Sequence, residues 1–493
     1  MGSSRGKRET TMEKKLKKGL SPTTIEEFYE YGLTDGFPVV LPTKNRVAAM
    51  LRGTSCEASE ILGKIPPSYF DVTVESIAVA AVMAGCTPEM FRVVIAAVKA
   101  MLDPTFGLHG VHATTMGATP VVVVNGKGRQ KSEVNYEIAP FGSGSRSSSI
   151  GRALKLLLQN VGRAKLGGTE STCMGTPMKW GVCFGENEEY AKQWEPMSTM
   201  VSDLAKGEDA VTVLAASSGP VQIVDFDATP PQLVDRLAQT MSTAYGPNFP
   251  LVNQILCVIC PEHYDTLVKG GYNTKAKLRQ ALFEQMAHHM LPQAEGLITM
   301  LLKRQGKSYP SIVVKFLAML LRIAAFFAKL LGREFTPLKK VNSPESLKIV
   351  VAGGYAGKFS SFMPGFGVGP PGTPAADMST PVTKAIEPRP GSLDDPTPPS
   401  TEEGEVVVNP VPTECSQPTP VVKRSGKIVG PVALMDISKP RGSELLDVYE
   451  AKLKALGIET KRYKKPTFSR PAPKTLLEQM SRECRSAILG LAD

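Results

Sequence analysis

The chain has 493 residues, 42% apolar and 21% charged, which suits two or three globular domains and excludes wholesale disorder or a fibrous repeat. Its 8 cysteines are too few for a disulfide scaffold of this length and fit reduced thiols in a cytoplasmic setting. The net charge of +10 is local: residues 1–20 carry seven bases against two acids, and residues 311–340 carry six against one. Charge confined to a tail and one segment, with only 6% aromatics, argues against a nucleic-acid partner.

No apolar core follows the basic tail before Ile25, so no secretory leader is expected, and Gly6 breaks the myristoylation pattern. After the tail, Ser21-Pro22-Thr23 reads as a helix start with Glu26 and Glu27 in the first turn. Helical periodicity returns over Val72–Ala84 and Pro88–Leu102. Strands are expected at His112–Met116, Pro120–Asn125, Trp180–Gly185, Val211–Ala216, Val221–Val224, Gln254–Cys260 and Lys348–Ala352. Helices at Ser149–Val161, Pro230–Thr243 and Thr274–His288 separate several of them. Residues 21–365 therefore form one large mixed α/β domain.

Residues 370–420 hold 13 of the 40 prolines, and the span 366–425 reads as a disordered Pro-rich linker. Beyond it, residues 426–493 show a βαβαβ pattern of the Rossmann or flavodoxin-like kind: strand Pro431–Asp436, helix Gly442–Leu456, strand Glu459–Tyr463, helix Pro471–Arg482 and strand Ser486–Leu491. Three strands and two helices are expected to leave one sheet face poorly covered, so this domain reads as incomplete.

The run Arg485–Asp493, preceded by Ser469–Pro473, resembles the C-terminal domain of the UGSC-motif selenoproteins, in which a similar strand leads into selenocysteine-Gly-Ser-Cys. Further blocks that resemble the family are Asp35–Thr43, Val82–Cys86, Phe141–Ala153, Pro261–His263 and Val351–Gly354. The resemblance implies a selenol- or thiol-dependent oxidoreductase of unknown substrate. It also implies that the reading frame breaks off just before the selenocysteine, leaving this chain without the redox motif. Phe359 stands where the family pattern often has histidine.

Several residue groups could carry chemistry. In Phe141–Ser149, Gly142 and Gly144 free the backbone to approach a ligand, Arg146 offers a fork for carboxylate or phosphate, and Ser149 is placed to cap the next helix. His109 and His112 could contribute to a polar pocket, and Asn125 closes the valine strand as a further binding candidate. His263, at a strand's carboxyl end, Glu186, in an acidic run, and Cys86, at a helix end, are the catalytic candidates. Cys257 and Cys260 read instead as buried apolar cysteines, because odd spacing on a strand points their sulfurs apart. No metal set and no cofactor motif is evident.

Lys315, Arg322 and Lys329 recur every seven residues through an otherwise apolar segment at 311–332, which suits an amphipathic helix on a membrane surface, a peripheral location, a helix buried between subdomains or at an oligomer interface, or, at the cost of burying Arg322 near the midplane, a spanning helix. Two other functions stay open beside the oxidoreductase: a lyase or hydrolase acting on an anionic small molecule, and a membrane-surface binding or assembly module.

Overall fold

The computed structural model describes residues 22–490 except 143, 247–251, 291–294, 297, 300–301, 303–309, 332–338, 356, 368–378, 389–406, 411–429, 438–441 and 466–471. The basic tail, most of the Pro-rich span and residues 491–493 lie outside the described residues. In chain order the strands are β1 (Ile61–Ile65), β2 (Phe70–Thr73), β3 (Thr119–Asn125), β4 (Val182–Gly185), β5 (Ala210–Ala216), β6 (Val221–Val224), β7 (Ile255–Ile259), β8 (Leu347–Val351), β9 (Phe359–Pro364), β10 (Val382–Ala385), β11 (Val432–Asp436), β12 (Thr460–Lys464) and β13 (Ser486–Gly490).

Two four-stranded sheets dominate, ordered β10-β5-β3-β4 and β6-β9-β7-β8. They share one pairing pattern. In each, a central strand (β3 or β7) runs parallel to the next strand (β4 or β8) and antiparallel to the third (β5 or β9), which pairs antiparallel with an edge strand. The edge strands are exchanged: the chain leaves β5 to add β6 to the second sheet and leaves β9 to add β10 to the first. At the crossing, the Ser217 N–H donates to Pro364 O at 2.9 Å and the Phe366 N–H to Ala215 O at 2.9 Å.

Alternation along the strands builds four layers. On β3, Val122 and Val124 face a helical layer that includes Val74–Ala84, Pro88–Leu102 and Ser147–Asn160. Val121 and Val123 face the other way, against Leu256, Val258, Val350 and Met363 of the second sheet. That sheet's far side, with Ile255, Cys257, Ile259 and Ile349, packs on the helices Pro230–Ser242 and Lys275–Met290. Each fully buried valine of β3 contributes about 1.5–3 kcal/mol, so a strand buried on both faces needs a continuous apolar run. The helices carry their own boundary signals: Thr73 accepts from Ser76 N–H at one start, and Thr229 and Gln232 form a capping box at another.

The structure is mixed α/β, as the pattern implied, with three corrections. The expected strand His112–Met116 is absent; Leu108–His112 is a short helix that follows Gly107, whose φ is +66°. The Pro-rich span is not wholly a linker, since β10 pairs along β5 and Val382, Ile386 and Val407 are buried. There Val382 and Ile386 supply enough apolar surface to hold a short segment against the helical layer. Third, each face of the C-terminal sheet carries a helix, although the expected poor cover persists at one edge, where Ala487 and Leu489 of β13 are exposed. Its parallel order β12-β11-β13 places the outer strands on opposite sides of β11, so the two crossovers run in opposite directions. Leu446 and Leu453 pack on one face and Met480 on the other.

Candidate functional site

A cleft of about 330 Å³ opens beyond the carboxyl ends of β7 and β8. It is lined by Cys260, which follows β7, by Gly353 and Gly354, which follow β8, and by Gln222, Phe359 and Ser361 from β6 and β9. The loop Ala139–Gly142, which comes from the other half of the domain, closes one side. The Gly353 N–H donates to Tyr136 O at 3.0 Å and ties that loop to the sheet. Clefts at the carboxyl ends of parallel strands are the usual ligand sites of α/β sheets, because the connections diverge there.

Cys260 is the N-cap of the helix Pro261–Lys269, and Pro261 in the first turn ends the strand just before it. Its sulfur lies 3.7 Å from Ser360 Oγ, and its N–H donates to that oxygen at 3.1 Å. Ser360 Oγ is 2.7 Å from His263 Nδ1, while His263 Nε2 is 2.9 Å from the carbonyl oxygen of Asp225. A carbonyl only accepts, so Nε2 carries the proton and Nδ1 of the neutral ring accepts from the Ser360 hydroxyl. Burial holds His263 below its ordinary pKa against the opposing pull of Asp225, which keeps the ring neutral near pH 7.

Ser360 Oγ accepts from the Cys260 amide, and its single proton is shared between two acceptors within reach, His263 Nδ1 and the Cys260 sulfur. Burial pushes the thiol's pKa up, and the backbone N–H of His263 and the Ser360 hydroxyl oppose it. The group at rest is therefore a thiol whose proton has a path through Ser360 to a neutral imidazole. Cys257, by contrast, points into the helix-side core, where burial pushes it up to about 12.

The corresponding end of the first sheet is closed. Asn125 donates to Glu186 Oε2 at 2.8 Å and Glu188 Oε1 at 3.0 Å, and its own Oδ1 accepts from Ser198 N–H at 3.2 Å. Glu186 also accepts from Met197 N–H at 2.7 Å and pairs with Lys275, both side chains being buried. Burial lowers the Lys275 pKa and the Glu186 carboxylate raises it again. Asn125 and Glu186 thus sit in a hydrogen-bonded plug, away from the cleft.

The other sequence candidates disperse. Gly142 lines the cleft, whereas Gly144 takes φ +89° in the turn beyond it. Arg146 is exposed and pairs with Glu133 at 3.1 Å. Ser149 does not cap: the helix begins at Ser147, with Arg146 at the N-cap position and no side-chain cap bond. The Ser147 hydroxyl is committed elsewhere, accepting from the Asn135 N–H at 2.6 Å.

Cys86 follows the C-capping Gly85, remote in sequence and fold from Cys260; burial pushes its thiol up to about 12, against the pull of Arg152. His109 bonds to the Tyr69 hydroxyl at 2.8 Å beside a separate surface hollow. His112 is buried with neither ring nitrogen hydrogen-bonded, and burial holds its pKa down to about 3, with Lys155 adding to the effect.

Of the named candidates, Gly142 lines the cleft, and His263 lies buried behind it, joined to Cys260 through Ser360. Cys260, Ser360 and Ser361 were not singled out as site residues. The available signal was Cys260-Pro261-Glu262-His263, where Pro261 moves Cys260 off the strand and onto the turn.

The family comparison bears on the other end of the chain. The UGSC family model matches residues 406–493, the stretch that contains the parallel three-stranded domain, so the resemblance drawn from the sequence holds for that domain. No curated protein matches the chain.

Proposed function

We propose that this chain is a thiol-dependent oxidoreductase that reacts in the cleft with a small disulfide-type substrate. The observation that carries this reading is the continuous line Cys260 Sγ, Ser360 Oγ and His263 Nδ1, opening onto a cavity of about 330 Å³. The pairing of Arg146 with Glu133 at the surface speaks against the lyase or hydrolase reading, which needed Arg146 for an anionic substrate.

In the reaction, Cys260 Sγ bonds to one sulfur of the substrate disulfide while the S–S bond breaks. The thiol proton moves to Ser360 Oγ as the Ser360 proton moves to His263 Nδ1, and the departing thiolate is protonated from the same relay. The products are a mixed disulfide on Cys260 and a free thiol; a second small thiol then attacks the outer sulfur of that mixed disulfide, leaves as a new disulfide, and returns Cys260 to its thiol with the proton passed back through the relay. The substrate disulfide is the oxidant and the thiols are the reductants.

The test is to treat the full chain with an aryl disulfide probe and map the modified cysteines by mass spectrometry. Cys260 should carry the mixed disulfide, Cys257 should not, and Cys260→Ser should abolish release of the aryl thiol from the cleft. Labelling confined to other cysteines sinks the reading.

A further inference from the structure

The helix Ser311–Leu330 carries no acidic residue, and an 18-residue window of it has mean hydropathy 2.1. A helix this apolar belongs inside a protein, yet only Val314 and Ala318 are buried among its large and small apolar side chains. Ile312, Phe316, Met319, Ile323, Phe326 and Leu330 are exposed, at alternating spacings of four and three, and so form one outward strip. Single exposed apolar residues are ordinary, but a continuous strip along twenty residues marks a contact surface.

We propose that this helix docks flat on an anionic lipid surface, with the outward strip sunk into the boundary between headgroups and acyl chains. Three observations select lipid over a second copy of the chain. A helix–helix seam is narrow and flanked by polar residues, whereas Val313, Leu317, Leu320 and Phe327 beside this strip are also apolar and exposed. Lys315 and Arg322, seven residues apart, lie on one flank between the strip and the side holding Val314 and Ala318; Arg322 also lies 3.8 Å from Glu295. The sequence just before the helix adds Lys303, Arg304 and Lys307, which suits negative headgroups. Burial of Val314 and Ala318 on one side and the charge of Arg322 at mid-helix, which spanning would place near the bilayer centre, favour a helix lying along the surface over one that crosses it.

Vesicle flotation of the full chain tests this. The chain should float with phosphatidylcholine vesicles containing phosphatidylserine and much less with phosphatidylcholine alone, and Lys315→Ala should weaken binding roughly fivefold. Phe316→Glu combined with Phe326→Glu should leave the chain in the bottom fraction with its thermal unfolding unchanged. No flotation of the native chain overturns the proposal, as does flotation that the double variant keeps. A native dimer that the double variant dissociates, in a chain that ignores vesicles, would assign the strip to a second copy instead.

Discussion

The two halves of the large domain are built on one plan and finished in opposite ways. Beyond β3 and β4 the carboxyl ends are sealed by Asn125, Glu186 and Lys275; beyond β7 and β8 they open on a cleft edged by Cys260 and Gly353. Each half also borrows from the other. Lys275, on a helix that follows β7, seals the first sheet, and the loop Ala139–Gly142, which follows β3, walls the second sheet's cleft. A shared topology therefore determines where a site could be, while a few side chains decide whether it is open.

Breaking the seal should produce the largest effect. Lys275→Met leaves the Glu186 carboxylate buried without its partner, and a buried pair broken on one side costs about 3–5 kcal/mol in urea unfolding. Adding Glu186→Gln should recover most of that loss, because the uncompensated charge goes with it. Aryl disulfide labelling of Cys260 should be the same in the double variant as in the native chain.

At the open end, His263→Gln removes the proton acceptor but keeps a polar side chain there. The rate of Cys260 labelling should fall by about 10²-fold, with a flatter pH profile in stopped-flow measurements. Equal rates for the two proteins would break the contrast between an open reactive end and a sealed inert one.

His112 tests the helical layer beside the sealed half. It stays neutral in the fold down to about pH 3, whereas in the unfolded chain it protonates near its ordinary value of about 6.5. Between those values the unfolded state holds the extra proton, so its contribution makes stability fall as pH drops from 6.5 toward 3, by about 1.4 kcal/mol per pH unit. Unfolding free energies from urea titrations at pH 6.5 and pH 5 should therefore differ by about 2 kcal/mol from this group, a difference that His112→Leu removes. The smallest effect is expected from Arg146→Ala: its exposed pair with Glu133 is worth under about 1 kcal/mol, and cleft labelling should not change.

The strands with regular apolar patterns were legible. The expected Val221–Val224 agrees residue for residue with β6, and Val211–Ala216 and Pro120–Asn125 each miss one residue at the start. The C-terminal βαβαβ pattern was also read in its observed order. His112–Met116 misled because His-Ala-Thr-Thr-Met carries no clear period; His112 instead ends the short helix Leu108–His112 and the rest is a bend. The candidate site was less legible: His263 and Gly142 were named, but Cys260 was read as core because its spacing from Cys257 assumed that the strand continued.

What the sequence determined by itself was local. Continuous apolar runs made the buried strands, Thr and Pro set helix starts, and the charge clusters marked the segment around Ser311–Leu330. Those signals act over a few residues, where backbone geometry translates them directly. Tertiary structure decided which cysteine faces a cleft, which carboxylate is sealed by Lys275, and how far the Pro-rich span packs. Each of those outcomes depends on contacts between residues scores to hundreds of positions apart, such as Ser360 with His263 and Val382 with Val213, and no local pattern encodes such a meeting.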